Sequence, residues 1–242
     1  MSALAVVTGA AGGIGGAIAE RLARDGFDLV LVDQADASET AGRIRDAGGV
    51  AEAIALDLRD ARLVDETFRE LDAAGDGVSA VVLSHGVGGP RVPLAEADPH
   101  EIDRIIQINL TAAAYVIRAA AGVMRPRRRG RIVAVASAAG KEGNPGVAAY
   151  SASKAGLLGL VKAVAREVAE DGVLVNAVAP GPTATPMIAQ APDLVRYVID
   201  RTPLGRLAQP QEVAAAVAWL VSEECSFTTG SALDLSGGRS AY

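Results

Sequence analysis

Cysteine is all but missing from this chain: Cys225 stands alone, so no disulfide can close within it, and that usage fits a reducing compartment. Histidine is nearly as scarce, with only His85 and His100, and no Cys/His spacing of a zinc site occurs. A zinc hydrolase or zinc dehydrogenase is therefore disfavoured, and no metal is expected. No uninterrupted apolar run reaches the ~18 residues of a membrane span, and the N-terminus lacks the basic start, apolar core and cleavage pattern of a secretory leader. A basic excess is missing too. The formal net charge is -6, which argues against nucleic acid or an anionic membrane as partner. The one basic cluster, Arg125-Pro-Arg-Arg-Arg-Gly-Arg131, falls where a helix ends and a strand begins, and reads as a solvated loop. No internal repeat or low-complexity linker interrupts the chain. These absences point to a cytoplasmic protein.

What is present is a chain of 242 residues, 50% hydrophobic, enough to bury a sizeable core and of a length that suits one large α/β domain over residues 1–242. Short apolar runs alternate with helical periodicity. Strands are expected at Ala3–Val7, Phe27–Val32, Ala51–Leu56, Ala80–Ser84, Arg131–Ala136, Val173–Val178 and Ala232–Leu235. Helices are expected at Ile14–Asp25, Ala37–Ala47, Ala61–Ala73, Glu101–Ala121, Tyr150–Glu170 and Gln211–Leu220. That order predicts a Rossmann-type, doubly wound parallel sheet with helices on both faces. From Pro186 to Gly205 the pattern is poor apart from a short helix at Asp193–Arg201, and this insert reads as a lid over the substrate.

The first strand runs into Thr8-Gly-Ala-Ala-Gly-Gly-Ile-Gly15, a glycine-rich turn that opens a helix. Glycines let the backbone approach a pyrophosphate closely, and the helix N-terminus offers unpaired N–H groups and a positive dipole end. Gly9, Gly13, Ile14 and Gly15 are the candidate contacts. Asp33, ending the second strand, completes the context of a dinucleotide fingerprint. Its carboxylate suits the ribose hydroxyls and would repel a 2′-phosphate. Neither Gly12 and Gly13 in the turn nor Gln34 after the strand supplies a phosphate-binding cation, although sequence leaves Arg43 open. NAD is expected, with NADP the less favoured cofactor.

Tyr150 and Lys154 sit four apart at the start of a helical pattern and project from one face. An ammonium beside a phenol favours the phenolate, so the Tyr150 pKa is expected to fall towards working pH, where a general base is most effective. Ser137 ends a buried strand, at the edge where active sites of open α/β sheets lie, and its hydroxyl is placed to hold a substrate oxygen.

The turn, Asn109 within Ile-Asn-Leu, Ser137 with Tyr150-x-x-x-Lys154, and Pro180-Gly181 after a strand occur in an order and spacing that resembles the short-chain dehydrogenase/reductase family, in its compact single-domain branch. The resemblance spans nearly the whole chain. It implies seven parallel strands, and a reaction in which Tyr150 takes the proton of a secondary alcohol as hydride passes to the nicotinamide. Ser137 would steady the oxygen, Lys154 would hold the nicotinamide ribose, and Asn109 would hold a water linking Lys154 to solvent. The same likeness assigns Asp57 to the adenine amine, and places Leu58, Gly86, Pro180, Gly181, Thr183 and Thr185, with Tyr150 and Lys154, along the cofactor. As an alternative, Asp57 caps the helix that follows. Where relatives carry Asn-Asn-Ala-Gly, this chain has Leu83-Ser84-His85-Gly86, so a structural asparagine is absent and His85 stands beside the expected nicotinamide pocket. Helices Glu101–Ala121 and Tyr150–Glu170 commonly pair with their copies in this family, which implies a homo-oligomer, tetramer or dimer. The tail from Ser236 and the segment Lys141-Glu-Gly-Asn-Pro resemble NAD-linked dehydrogenases of sugars and sugar acids, with Arg91, Lys141, Arg196 and Arg239 as candidate partners for a substrate carboxylate. The alternative is NADPH-dependent reduction of 3-oxoacyl chains on a carrier protein; a non-catalytic dinucleotide-binding regulator is the remote one.

Overall fold

The computed structural model describes residues 3–185, 188 and 192–240. Its centre is a seven-stranded sheet in the order β3-β2-β1-β4-β5-β6-β7, every neighbouring pair parallel. The strands are β1 (Leu4–Thr8), β2 (Asp28–Asp33), β3 (Ala51–Ala55), β4 (Val78–Leu83), β5 (Gly130–Val135), β6 (Val173–Pro180) and β7 (Ala232–Leu235). Alternate side chains enter opposite cores, as a pleat buried on both faces requires. Val6, Ile132 and Ala134 join one apolar cluster, and Ala5, Val7, Val133 and Val135 join the other.

The first cluster is closed by α3 (Ala61–Ala73), α5 (Ala112–Met124) and α7 (Ala148–Val168); the second by α1 (Gly13–Arg24), α2 (Ser38–Asp46) and the helix Pro210–Val221. Local chemistry sets where these helices begin. The Asp60 carboxylate accepts from the amides of Arg62 and Leu63, both at 3.0 Å, and so caps α3. Asp57 does not take that part. Asp98, followed by Pro99, caps α4 (Pro99–Ile106) by accepting from the His100 amide at 2.9 Å. Gln209 and Glu212 form a capping box at the start of Pro210–Val221.

The expected single helix Glu101–Ala121 is instead α4 and α5 joined through a π-turn at Gln107–Thr111, where the Ala112 amide reaches back five residues to the Gln107 carbonyl. One residue more per turn cannot be read from a 3.6-residue periodicity, and such turns recur at functional sites. By length and composition the helical stretch Pro99–Arg127 could cross a membrane; half of its most apolar window is buried inside the fold. The basic cluster also differs from a merely solvated loop. Arg125 pairs with Asp171 at 2.5 Å, Arg127 with Asp72 at 2.9 Å and Arg129 with Glu223 at 2.7 Å, tying three neighbouring segments together.

The strand order reverses between β1 and β4, and there the chain ends of β1, β2 and β4 lie side by side. The Gly9 amide donates to the Val32 carbonyl at 2.8 Å, and the Ser84 amide to the Thr8 carbonyl at 3.1 Å. Crevices at such reversals are where open α/β sheets bind ligands.

Candidate active site

Gly9 adopts φ 69°, and a Cβ built on it would stand 2.5 Å from the His85 nitrogen. Only glycine lets the turn lie this close to the end of β4. The turn then enters α1, whose N-terminus at Gly12 has no side-chain cap, so its first amides are left for an anion. Asp33 Oδ2 accepts from the Ala11 amide and Oδ1 from the Ala35 amide, each at 3.0 Å, which fixes the carboxylate beside the glycine-rich turn. Arg43 is occupied: its guanidinium bonds Glu20 at 2.7 Å and Glu39 at 2.8 Å. The cradle thus fits a dinucleotide.

Farther along the crevice, Asp57 is held by Arg59, at 2.6 Å in the closest contact, and that partner lowers its pKa. An adenine amine would share this carboxylate with Arg59. Leu58 is 8% exposed and packs in the first core cluster, so its backbone is what remains for a cofactor. The Gly181 amide donates to the Leu235 carbonyl at 3.1 Å, after Pro180 ends β6. Thr183 is buried, gives its hydroxyl proton to the Gly181 carbonyl at 3.1 Å and bridges to Ala208. Thr185 is half-buried at the start of the insert. Of the expected lid, residues 186, 187 and 189–191 lie outside the described residues; the helix within it runs Pro192–Ile199.

Ser137 follows β5 and caps α6 (Ala138–Glu142), accepting from the Ala139 amide at 3.1 Å. Its hydroxyl is also close enough to the Tyr150 phenol to lower that group's pKa. Tyr150 and Lys154 share a face of α7, the ammonium 5.9 Å from the ring centroid. The expected fall in the Tyr150 pKa is not what the structure gives. Burial raises it, with the Ser137 hydroxyl pulling the other way, and the lysine gives its hydrogen bond to the Val135 carbonyl at 2.9 Å rather than to the phenol. Burial also lowers Lys154, to about 8.

Asn109, at the middle of the π-turn, is 1% exposed. Its Oδ1 accepts from the Val87 amide at 2.8 Å, and its Nδ2 donates to the Val87 carbonyl at 2.9 Å and to Ser153 Oγ at 3.0 Å. Ser153 in turn donates to the Tyr150 carbonyl at 2.7 Å, so Asn109 is linked to the backbone of α7. Sequence reasoning passed over Ser153; the signal was its position one turn after Tyr150, with a polar side chain in a buried helix face. A Cβ on Gly86 would lie 3.1 Å from Asn109 Oδ1 and 3.3 Å from Lys154 Nζ, so both groups meet at that glycine.

His85 closes the floor. Its Nδ1 lies 2.6 Å from Thr8 Oγ1, while its Nε2 is buried with no partner. Burial first, and the nearby Lys154 charge second, lower its pKa to about 3, so the ring is neutral. Lys141 and Arg239, expected as partners of a substrate carboxylate, are already paired within the protein. Lys141 donates to Asp234 at 2.7 Å and to the Ser240 carbonyl at 2.8 Å, and Arg239 to Glu142 and Asn144, both at 2.9 Å. Among the described residues no three His, Cys, Asp or Glu side chains gather as a metal site.

Residues 9–240 match the family described as Enoyl-(Acyl carrier protein) reductase. The chain is 40% identical over 240 residues to the 2-dehydro-3-deoxy-L-rhamnonate dehydrogenase (NAD(+)) of Sphingomonas sp. (strain SKA58), covering 98% of this chain and 95% of that protein. It is 39% identical over 240 residues to the cis-4-hydroxycyclohexanecarboxylate dehydrogenase of Sinomonas cyclohexanicum, covering 98% and 96%. The crystal structure of a single-residue variant of the actinorhodin polyketide ketoreductase with NADPH superimposes with a TM-score of 0.94 at 32% identity, covering 100% of this chain and 98% of that one. Likeness of this extent in both sequence and fold leaves one conclusion: the chain belongs to the short-chain dehydrogenase/reductase family and is an oxidoreductase of CH–OH groups.

Proposed function

We infer that the protein interconverts a secondary alcohol and a ketone with NAD(H), on a small hydroxylated substrate such as a sugar acid. The observation that carries this reading is the grouping of Ser137, Tyr150 and Lys154 at the carboxyl edge of β5, beside an Asp33 that faces the glycine-rich turn. Bound NAD would supply the hydride acceptor. The protein's own part is orientation and proton transfer. Ser137 Oγ and the Tyr150 phenol both bond the substrate oxygen, and Tyr150 takes its proton in the oxidation direction. Lys154, released from Val135, holds the nicotinamide ribose and favours the phenolate. Asn109 holds the π-turn against Val87 and α7, and its widened backbone is where a proton-carrying water would sit.

Gly9, Gly13, Ile14 and Gly15 line the pyrophosphate; Asp33 takes the adenosine ribose, Asp57 and Leu58 the adenine, and Gly86, Pro180, Gly181, Thr183 and Thr185 the nicotinamide half. NAD is favoured over NADP because Asp33 is a like charge to a 2′-phosphate and Arg43 is consumed by two glutamates. The NADPH of the ketoreductase structure favours the second reading, reduction of a carrier-linked ketone. The chain acts as one domain, residues 1–242, with 186–205 over the substrate, as a cytoplasmic homo-oligomer, tetramer or dimer. Titration of the pure protein with NADH and with NADPH, followed by fluorescence, tests the cofactor; a screen of polyols, sugar acids and hydroxy acids follows. Preference for NADPH with turnover of an acyl-thioester ketone would replace this reading by the second.

A further inference from the structure

We propose that Arg91, Tyr197 and Arg201 form the anchor for a carboxylate on the substrate, which makes the substrate class hydroxy acids whose reacting carbinol is remote from the acid group. The proposal rests on the dehydrogenase reading above. Arg91 lies on the loop after β4. Its stem rests on Gly146, Cγ only 3.0 Å from where a Cβ would stand, and the adjoining Val92 amide donates to the Gly146 carbonyl at 2.9 Å. Gly146 is four residues ahead of Tyr150, and a narrow cleft lined by Pro90, Val92, Gly146, Val147 and Tyr150 runs between them.

Tyr197, on the helix Pro192–Ile199, is the residue Arg91 meets. The Arg91 guanidinium is 5.8 Å from its ring centroid and that of Arg201 is 4.9 Å, so one ring carries two cations. Two like charges on one ring repel each other, and nothing among the described residues neutralises them. No carboxylate there pairs with either guanidinium, whereas Arg59, Arg104, Arg206 and Arg239 are all pinned by acids. Planar guanidiniums match a carboxylate in bidentate geometry, and Tyr197 holds them in place for it. Of the other cations expected to meet a substrate carboxylate, Lys141 and Arg239 are committed to Asp234 and Glu142, while Arg196 stands on the same helix as Tyr197. Arg91 adjoins Gly146, which lines the same cleft as Tyr150, so an acid group held at Arg91 and Arg201 lies beside that cleft and the carbinol presented to Tyr150 is remote from the acid.

The test uses binding, which needs no turnover. D-gluconate and cyclohexanecarboxylate, each against its amide, are titrated by calorimetry into the protein saturated with NAD. At least one acid is expected to bind tenfold or more tightly than its amide. Arg91→Gln and Arg201→Gln should each remove most of that difference, and leave NAD affinity and the thermal midpoint unchanged. The proposal is overturned if neither acid outbinds its amide, or if both variants retain the difference. A separate screen of neutral and acidic secondary alcohols distinguishes the two readings. Acid-selective binding without NAD-linked oxidation of any alcohol sinks the dehydrogenase reading and keeps the anion site; oxidation of neutral and acidic alcohols alike, unaltered in the Gln variants, does the reverse.

Discussion

The Lys154 ammonium lies 5.9 Å from the centroid of the Tyr150 ring, yet gives its hydrogen bond to the Val135 carbonyl, 2.9 Å away. The lysine is thus anchored to the end of β5, and burial lowers its pKa. Its pKa falls from 10.5 to about 8. Between those values the unfolded chain binds the extra proton, so this group's contribution to stability rises as pH goes up. Tyr150, raised by burial, acts with the opposite sign only above its ordinary value of 10. Lys154→Met should therefore be most stabilising relative to the parent at pH 7, with the gap narrowing by pH 10. Thermal midpoints of both proteins across that range check this; a constant gap refutes it.

Tyr150→Phe removes the proton acceptor and keeps the ring that fills the site. Turnover should fall by about 10²- to 10⁴-fold, the usual share of general acid–base catalysis, with NADH affinity nearly unchanged. Oxidation needs the phenolate and reduction the phenol, so the parent's rates should slope in opposite directions with pH. Burial places that slope on the alkaline side. Both slopes should vanish in the variant, and steady-state kinetics in the two directions would show it.

On the proposed reading Asp33 selects the cofactor: it accepts from Ala11 and Ala35 at 3.0 Å each, which fixes its carboxylate beside the glycine-rich turn. The parent should bind NADH about 100-fold more tightly than NADPH. Asp33→Ala with Gln34→Arg exchanges a like charge for a guanidinium and should bring NADPH to parity or beyond. Fluorescence titration of both cofactors measures the ratio; equal affinity in the parent would dismiss Asp33 as the selector.

Much of this was legible in the sequence because it is local. The glycine-rich turn, the strand end at Asp33 and the Tyr150–Lys154 spacing each lie within a few residues, and the seven strands follow from apolar runs. What escaped is what pairs across distance. Nothing near Thr8 announces His85, 77 residues on. Asp57 was the capping alternative, but Asp60 directly precedes the first helical residue, Ala61, and takes that part, while Asp57 pairs with Arg59. Asn109 was visible as a polar residue in an apolar face, but not that a π-turn would aim it at Val87 and Ser153. The Tyr150 pKa was misjudged because helical spacing gives proximity and says nothing of burial, the stronger effect here.

His85 supplies a pH dependence of its own. Its folded pKa of about 3 lies below the ordinary 6.5, so the unfolded chain takes up a proton over that interval and the native state does not. Stability from this ring is full above pH 6.5 and declines as pH falls towards 3. His85→Asn keeps a partner for Thr8 and removes the titration. The variant should lose stability less steeply than the parent between pH 6.5 and 4, as measured by denaturant midpoints at each pH. Parallel profiles would remove His85 from the account.

The tail is tied to the segment behind Ser137 by groups that are themselves mostly buried. Arg239 and Glu142, at 14% and 15% side-chain exposure, bond at 2.9 Å; Arg239 also reaches Asn144, and Ser240 donates to Glu142. Lys141 meanwhile joins Asp234 and the Ser240 carbonyl. Removing one partner leaves the other charge half-buried and uncompensated, which costs more than the pair itself contributes. Arg239→Ala should then lower stability by about 2–3 kcal/mol, roughly 5–10 °C in Tm for a chain of this size. Because Ser137 caps α6, the same change should reduce kcat more than NADH affinity. Arg239→Lys keeps the charge but not the two-point contact, and should recover only part of both. The decisive measurement is the double variant Arg239→Ala, Glu142→Ala. If the network acts as a unit, its loss is smaller than the sum of the two single losses; strict additivity would mean that tail and active-site segment are merely neighbours.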